Sequence, residues 1–277
     1  PDENGQARLY AIYVKVRPAS LQAYRRGIAV FDADQSLFQH VADWPAHFPI
    51  QPAGHTFKHT EDGVEYLYFA FPIPVVRVRA TAADFRRPEA YQAYTCLQPG
   101  TALDDQEEPT RGSARQAASR IDRFDDGRVR WGWKANTAPL GPQQQAALVK
   151  AGALQPHEAL LQLQDPDTGK PVLAHRGSVY WNAYRQRWVM IVCEQFGTSM
   201  LGEIWYAEAD TPLGPWVYAR KVVTHDKQSF YNPKHHPEFD KLGGRIIFFE
   251  GTYTHTFSGN PERTPRYEYN QIMYKLD

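Results

Sequence analysis

Two glutamates in this chain end apolar runs. In "RWVMIVCEQFGTS" the run leads into Glu194, and in "GGRIIFFEGTYTHTFSGN" the residues Ile246 to Phe249 lead into Glu250. Apolar neighbours such as Phe248 and Phe249 disfavour the charged form of a carboxyl, so it can still carry a proton at neutral pH. Cleavage of a sugar linkage uses such a group. One acid protonates the leaving oxygen, and a second group acts as base or nucleophile. Glu250 and Glu194 are the candidate catalytic residues. His55 in "GHTF", Arg176 behind His175, and Asn232, Lys234 and His235 in "YNPKHH" would hold sugar hydroxyls, with Tyr253, Trp133 or Trp181 stacked on a ring. The His, Tyr, Arg and Lys members also have the chemistry of elimination next to a uronate carboxylate, which is lyase chemistry. A glutamate at a strand end can equally be a solvated partner of a nearby cation, and the chain would then bind sugar without turning it over. Adjacent His235 and His236 are not a metal motif, because neighbouring strand residues point to opposite faces. No metal and no cofactor is expected.

The bulk composition narrows the classes. Thirty-one basic residues balance 31 acidic ones, so the chain lacks the basic footprint of a nucleic-acid binder. Two cysteines, Cys96 and Cys193, are too few for a disulfide framework and read as small buried hydrophobes. No run of 18 apolar residues exists to span a membrane as a helix. There is neither a glycine-rich phosphate loop nor a G-x-S-x-G nucleophile elbow. The expected partner is a carbohydrate, with no nucleic acid, no membrane and a monomeric chain. The first residue is Pro1, behind which comes a polar tail, "PDENGQAR", and no signal-like segment. This predicts a processed chain or a piece of a longer one.

The elements that must position these residues are strands. "LYAIYVKV", "GIAVFDAD", "VEYLYFA", "PVVRVRAT" and "YQAYTCL" are short and rich in β-branched and aromatic residues. Asp62-Gly63 marks a hairpin turn. "DDQEEPTRGSARQAASR" reads as an exposed loop, and "GPQQQAALVKAGAL" as the one clear helix, an insertion near 142–154 with Pro142 at its start and Gly152 near its end. The last third is the most regular. There, "RQRWVMIVCEQFGTS" and "GGRIIFFEGTYTHT" share one plan of turn, apolar run, Glu and small hydroxyl residues, which is a weak repeat. Repeated groups of four strands predict a β-propeller. The expectation is one all-β domain over 1–277, a five-bladed propeller of mostly four-stranded antiparallel blades at 9–45, 54–97, 119–175, 177–225 and 231–277. A two-sheet sandwich is the alternative. Glu194, Glu250 and the starts of the innermost strands would then converge on one face.

"EIWYAEADTPLGPW" resembles the blade signature of five-bladed propeller glycoside hydrolases of the arabinanase and xylosidase type. "YNPKHHPEFDKLGGRIIFFEGTYTHTFSG" is similar to secreted bacterial proteins with the same propeller. The specific part covers about a third of the chain, from Gly177 to Asp277. The resemblance implies an extracellular or periplasmic carbohydrate-active protein, with Gly214 for a turn and Trp216 for packing between sheets. Members of that type work with three carboxylates: an Asp base on the first blade, an Asp that tunes the acid, and a Glu acid. Here the first group starts with what reads as a second strand, so the base would precede Pro1, and His55 stands where a tuning Asp would be. Only Glu250, and after it Glu194, match as acid.

Overall fold

The computed structural model describes residues 2–18, 20, 22–103, 117–264 and 266–277. The chain divides into two compact units, Pro1–Phe69 with Val75–Pro139, and Ala70–Pro74 with Leu140–Asp277.

The first unit opens with a ribbon, β1 (Asp2–Glu3) and β2 (Gln6–Ala7). Asn4 and Gly5 turn it with positive φ, so part of the expected polar tail is a hairpin closed by an Asn-Gly turn. β3 (Tyr10–Val16), β4 (Ala23–Asp32) and β5 (Leu37–Trp44) form an antiparallel meander. β6 (His55–Glu61), β7 (Val64–Ala70), β8 (Val76–Arg79), β9 (Gln92–Thr95) and β10 (Gly132–Ala135) form a second sheet in that order. Asp62 and Gly63, both left-handed, make the expected hairpin turn between β6 and β7. Period-two burial brings Ile28, Trp44, Phe69, Val76, Val78 and Tyr91 into one core. A side chain of this kind contributes about 1.5–3 kcal/mol on burial. The short helix α1 (Ala82–Phe85), capped by Thr81, adds Phe85 to it.

The second unit holds the expected helix as α2 (Pro142–Lys150), with Gly152 left-handed beyond its end. β12 (Ala174–Asn182), β13 (Arg187–Gln195), β14 (Leu201–Ala209) and β15 (Trp216–Val223) form an antiparallel meander, with β11 (Leu161–Gln164) parallel to β15 at its edge. β16 (Ser229–His235), β17 (Ile247–Thr254) and β18 (Asn270–Leu276) form the last sheet. These two sheets pack through Val189, Ile191, Ile204, Phe230, Ile247 and Phe249. Two polar bonds pin them: the His235 N–H donates to Ser178 Oγ at 2.8 Å, and Asn182 Nδ2 donates to the Gly244 carbonyl at 2.7 Å.

Four meanders in chain order are the blade plan of an all-β propeller with few helices. Four is a correction to the expected five, made for the described residues. The segment 119–175 makes no blade of its own, because it has no long alternating apolar run. Its Trp131–Trp133 stretch becomes β10 on the second blade, held where Lys134 meets Asp122 at 2.8 Å and the Leu97 carbonyl at 2.6 Å. Its 161–164 stretch becomes the edge of the third blade. Of the expected loop at 104–120, residues 104–116 lie outside the described residues.

The "GPW" turn docks that edge. The Trp216 N–H donates to the Leu160 carbonyl at 2.8 Å, and its side chain is wholly buried. Gly214 has φ +99, and a Cβ there would lie 2.7 Å from Trp216 N and Cδ1. Gly63, at φ +76, has open space around it. Replacing Gly214 by Ala should therefore destabilise the fold by roughly 1–3 kcal/mol, with Gly63→Ala costing only the ~1 kcal/mol of its backbone conformation. Denaturant unfolding of the two variants checks the difference.

Candidate functional site

In the second unit, β12 and β16 start, and β13 and β17 end, on one rim. Ser199 Oγ lies 2.9 Å from Ser229 Oγ there, and the rings of His175 and Tyr231 are 6.0 Å apart. Glu194 is the penultimate residue of β13 and reaches this rim. Its side chain leaves the sheet on the face away from the last blade, because Val189, Ile191 and Cys193 occupy the other face.

Glu194 meets a second acid. Cys193 pairs with Ile204, but Glu194 pairs with Gly202, so Glu203 is an extra residue bulged out of β14. It sits at φ +37, left-handed for a non-glycine residue. The bulge turns its carboxylate inward, where its side chain is 1% exposed. Thr198 Oγ1 donates to Glu203 Oε1 at 2.8 Å, Thr224 Oγ1 donates to it at 3.2 Å, and Lys221 Nζ stands 3.6 Å away. The Thr198 N–H donates to Oε2 at 3.3 Å. Trp205 Nε1 donates to Glu194 Oε2 at 2.8 Å. Gly197 closes over both acids. A Cβ on it would lie 2.6 Å from Glu203 Oε2 and 2.8 Å from Glu194 Oε2, so the two oxygens face each other under this glycine.

Partial burial pushes the Glu194 carboxyl up. The Trp205 N–H opposes this, the Glu203 charge adds to it, Lys221 opposes it, and a hydrogen bond with Glu203 adds to it again. The result is an acid that keeps its proton to higher pH than an ordinary glutamate. Phe196 follows two residues on, at φ +60, and is 69% exposed.

Glu250 occupies a different place. It is the fourth of eight residues in β17, not the last, because Gly251, Thr252, Tyr253 and Thr254 continue the strand to the rim. The end of the apolar run marks a change of burial, not the end of the strand. The expectation that Glu250 ends its strand is thus corrected. Gly251 faces Ile204, so Glu250 points to the other side of its sheet. There it is level with Lys234 and Met273, and its Oε1 is 3.4 Å from His236 Nε2.

The remaining candidates divide. Arg176 lies in the β12 bulge near the rim, its guanidinium 3.4 Å from the Phe71 ring centroid. Beside it, burial and then the Arg176 charge push His175 down to about 4, so this imidazole is neutral at physiological pH. Asn232 sits left-handed in the bulge between Tyr231 and Lys234, and is exposed. Tyr253 packs its ring on Phe230 and edge-on against His225. His235 is not free to hold a ligand through Nε2, which meets both Asp240 oxygens at 2.9 and 3.0 Å in the buried seam. Trp181 pairs with Trp188 at the hairpin end of β12, about 23 Å along the strand from Ala174 and Glu194. His55 and Trp133 belong to the first unit. His55 starts β6, whereas Trp133 stacks on Arg77, whose guanidinium is 4.1 Å from one ring centroid and 4.0 Å from that of Tyr66, with Glu61 as its ion pair.

Glu203, Lys221, Thr198, Thr224 and Phe196 escaped the sequence reading. One signal was available: "LGEIWY" places a glycine and an acid at the opening of an apolar strand, which is where a bulge is expected. Among the described residues no group of three or more His, Cys, Asp or Glu is arranged to hold a metal ion, and no helix is long and apolar enough to cross a membrane.

The fold and this rim are those of a β-propeller whose third blade presents a paired acid. No family model and no curated protein matches the chain. Among solved structures it is similar to a candidate hydrolase from Bacteroides ovatus ATCC 8483, with TM-score 0.48 and 14% identity over 91% of this chain and 52% of that one. It is similar also to a GH43_1 enzyme from Xanthomonas citri, with TM-score 0.37 and 17% identity over 91% and 61%. A thermostable family-43 glycoside hydrolase matches with TM-score 0.33 and 14% identity over 98% and 68%. The chain spans about half to two thirds of the length of these proteins.

Because the folded state raises the Glu194 pKa, its protonated form is fully stabilising below the ordinary Glu range, about pH 4, and that contribution is lost as pH rises through the folded value. Glutamine keeps an acceptor for Trp205 and cannot ionise. Glu194→Gln should match the parent in thermal stability near pH 4 and exceed it progressively toward pH 8. Melting temperatures across that range measure it.

Proposed function

We propose that the chain is a carbohydrate-active propeller that cleaves glycosidic bonds, with Glu194 as the general acid. The supporting observation is the carboxyl pair at the rim of the third blade. Glu194 is partly exposed, and burial together with the facing, buried Glu203 pushes its pKa up. Proton delivery to a departing sugar oxygen needs such a group. The Phe196 ring offers an apolar face to a sugar, and Arg176 and Asn232, on the same rim, offer donors to its hydroxyls. In this reading Glu250 partners His236 and takes no part in the reaction. The extracellular or periplasmic setting belongs to the proposal too, and rests on the sequence resemblance.

A second reading is a propeller that binds sugar without cleaving it. One observation favours it. Glu203 has its oxygens engaged by Thr198, Thr224 and Lys221, so it is not placed to activate a water as the second group of the reaction.

Leaving-group dependence tests the acid. On arabinose or xylose oligomers, Glu194→Gln should lower kcat/KM by about 10²–10⁴-fold. On dinitrophenyl glycosides, whose leaving group needs no proton, the loss should shrink to a few-fold. Glu250→Gln should stay within about twofold of the parent, and Phe196→Ala should raise KM about fivefold through lost stacking. Calorimetric binding of the oligomers with no reducing ends released would instead establish the binder. An ultraviolet-absorbing unsaturated product would establish elimination.

A further inference from the structure

We infer that the hairpin end of β3 and β4, at residues 14–17 and 23–26, is a docking surface for an acidic polysaccharide, one that carries uronate carboxylates. The surface lies in the first unit and shares no residue with the Glu194 rim. The choice of a polysaccharide rests on the carbohydrate reading of the propeller, whereas the cationic surface itself does not. Over the whole chain 31 basic residues balance 31 acidic ones. Yet the segment 14–26 holds Lys15, Arg17, Arg25 and Arg26 and no acid.

Strand pairing brings these cations together. Lys15 stands directly opposite Arg25, and Val14 opposite Arg26. Like charges directly opposite one another destabilise a sheet. The register imposes that repulsion on Lys15 and Arg25, and an anion shared between them would relieve it. Arg25 is already braced for the task. Its Nε and Nη2 donate to Asp43 Oδ1 at 3.0 and 2.9 Å. The rest of its planar fork is left to grip a second carboxylate. Lys15 lies over the Tyr13 ring, its Nζ 6.0 Å from the centroid, and among the described residues no acid pairs with it or with Arg17. The Arg17 N–H donates to the Gln22 carbonyl at 2.8 Å, which ties the two arms of the hairpin beyond β3.

Apolar side chains are interleaved with the cations. Val14, Val16 and Tyr24 are 47%, 38% and 61% exposed. An exposed tyrosine ring suits the apolar face of a pyranose, while neighbouring cations take its carboxylate. Cations beside exposed apolar residues also suit an anionic membrane, but β3 argues against lipid. It is an edge of its sheet, so one row of its N–H and C=O groups has no strand partner there. Such an edge is not tolerated in lipid, whereas water and sugar hydroxyls satisfy it. A lysine on an edge strand also guards it against pairing with other chains. That accounts for Lys15 and not for the three arginines beside it.

The experiment measures binding of the full chain to immobilised polygalacturonate, with neutral xylan as the comparison. Polygalacturonate should hold the parent at low salt and release it in about 1 M salt, where screening acts within about 3 Å. Lys15→Gln/Arg17→Gln should weaken that binding about tenfold and leave binding to xylan as in the parent. Both side chains are exposed, so the double variant keeps its fold. Lys150→Gln/Lys170→Gln removes two exposed charges from the second unit and should bind like the parent, which separates this surface from net charge. No binding to polygalacturonate, or equal losses in the two double variants, overturns the inference. Tighter binding of phosphatidylglycerol vesicles or of single-stranded DNA through Lys15 and Arg17 overturns it too. Cleavage of short neutral oligomers should be the same in the parent and in Lys15→Gln/Arg17→Gln. Oligomer cleavage without polygalacturonate binding would remove this surface and keep the proposed reaction. Polygalacturonate binding in a protein that cleaves no sugar would do the reverse.

Discussion

The third and fourth blades bury their facing side chains against each other, and neither could do so alone. Val189, Ile191, Ile204, Phe230, Ile247 and Phe249 each come from a strand whose side chains alternate between two faces. Because that period is two, a slip of one residue in β13 would turn Val189 and Ile191 away from the seam and Glu194 into it. Such a slip would bury the Glu194 carboxyl among apolar side chains without partners, and the desolvation this costs sets the direction in which Glu194 points. The hydrophobic seam therefore determines the site's polarity. The buried polar bonds from His235 to Ser178 and from Asn182 to Gly244 fix its register from both ends.

On that frame one irregularity makes the chemistry. A regular β14 would place Glu203 opposite Glu194, and the two acids would stand as an ordinary cross-strand pair with like charges. The bulge instead folds Glu203 under Gly197 and hands its oxygens to Thr198 and Thr224. Threonine hydroxyls are short and need little rotamer freedom frozen, so they can serve as fixed donors at low entropic cost. Lys221 is long enough to keep its ammonium near solvent while lying along the Trp205 ring, 5.2 Å from its centroid.

Sequence reasoning finds the strands because β-branched and aromatic residues alternate clearly in "LYAIYVKV", "RWVMIVC" and "EIWYAEA". It finds α2 because Pro142 and Gly152 bracket a run of helix formers. It misses the number of blades, since nothing local tells a four-residue stretch such as Gly132–Ala135 whether to found a sheet or join one. That choice is made by long-range pairing with Gln92–Thr95. The rim residues follow the same division. Glu194 is legible, because an acid after six apolar residues interrupts a strong pattern. Its partner is not, because the bulge that delivers Glu203 is a pairing defect between two strands and has no period of its own. Glu250 shows the reverse error: the pattern around it copies that around Glu194, yet the Thr-Tyr-Thr continuation carries its strand four residues further.

The two cysteines acquire a use from where they lie. Cys96 is fully buried in the first unit and Cys193 in the second, where its thiol donates to the Phe230 carbonyl at 3.1 Å. A buried thiol reacts with an alkylating reagent only when the structure around it opens. Each compact unit thus carries one built-in clock, and the alkylation rates of Cys96 and Cys193 under native conditions would time the opening of the two halves separately, without any label introduced by mutation.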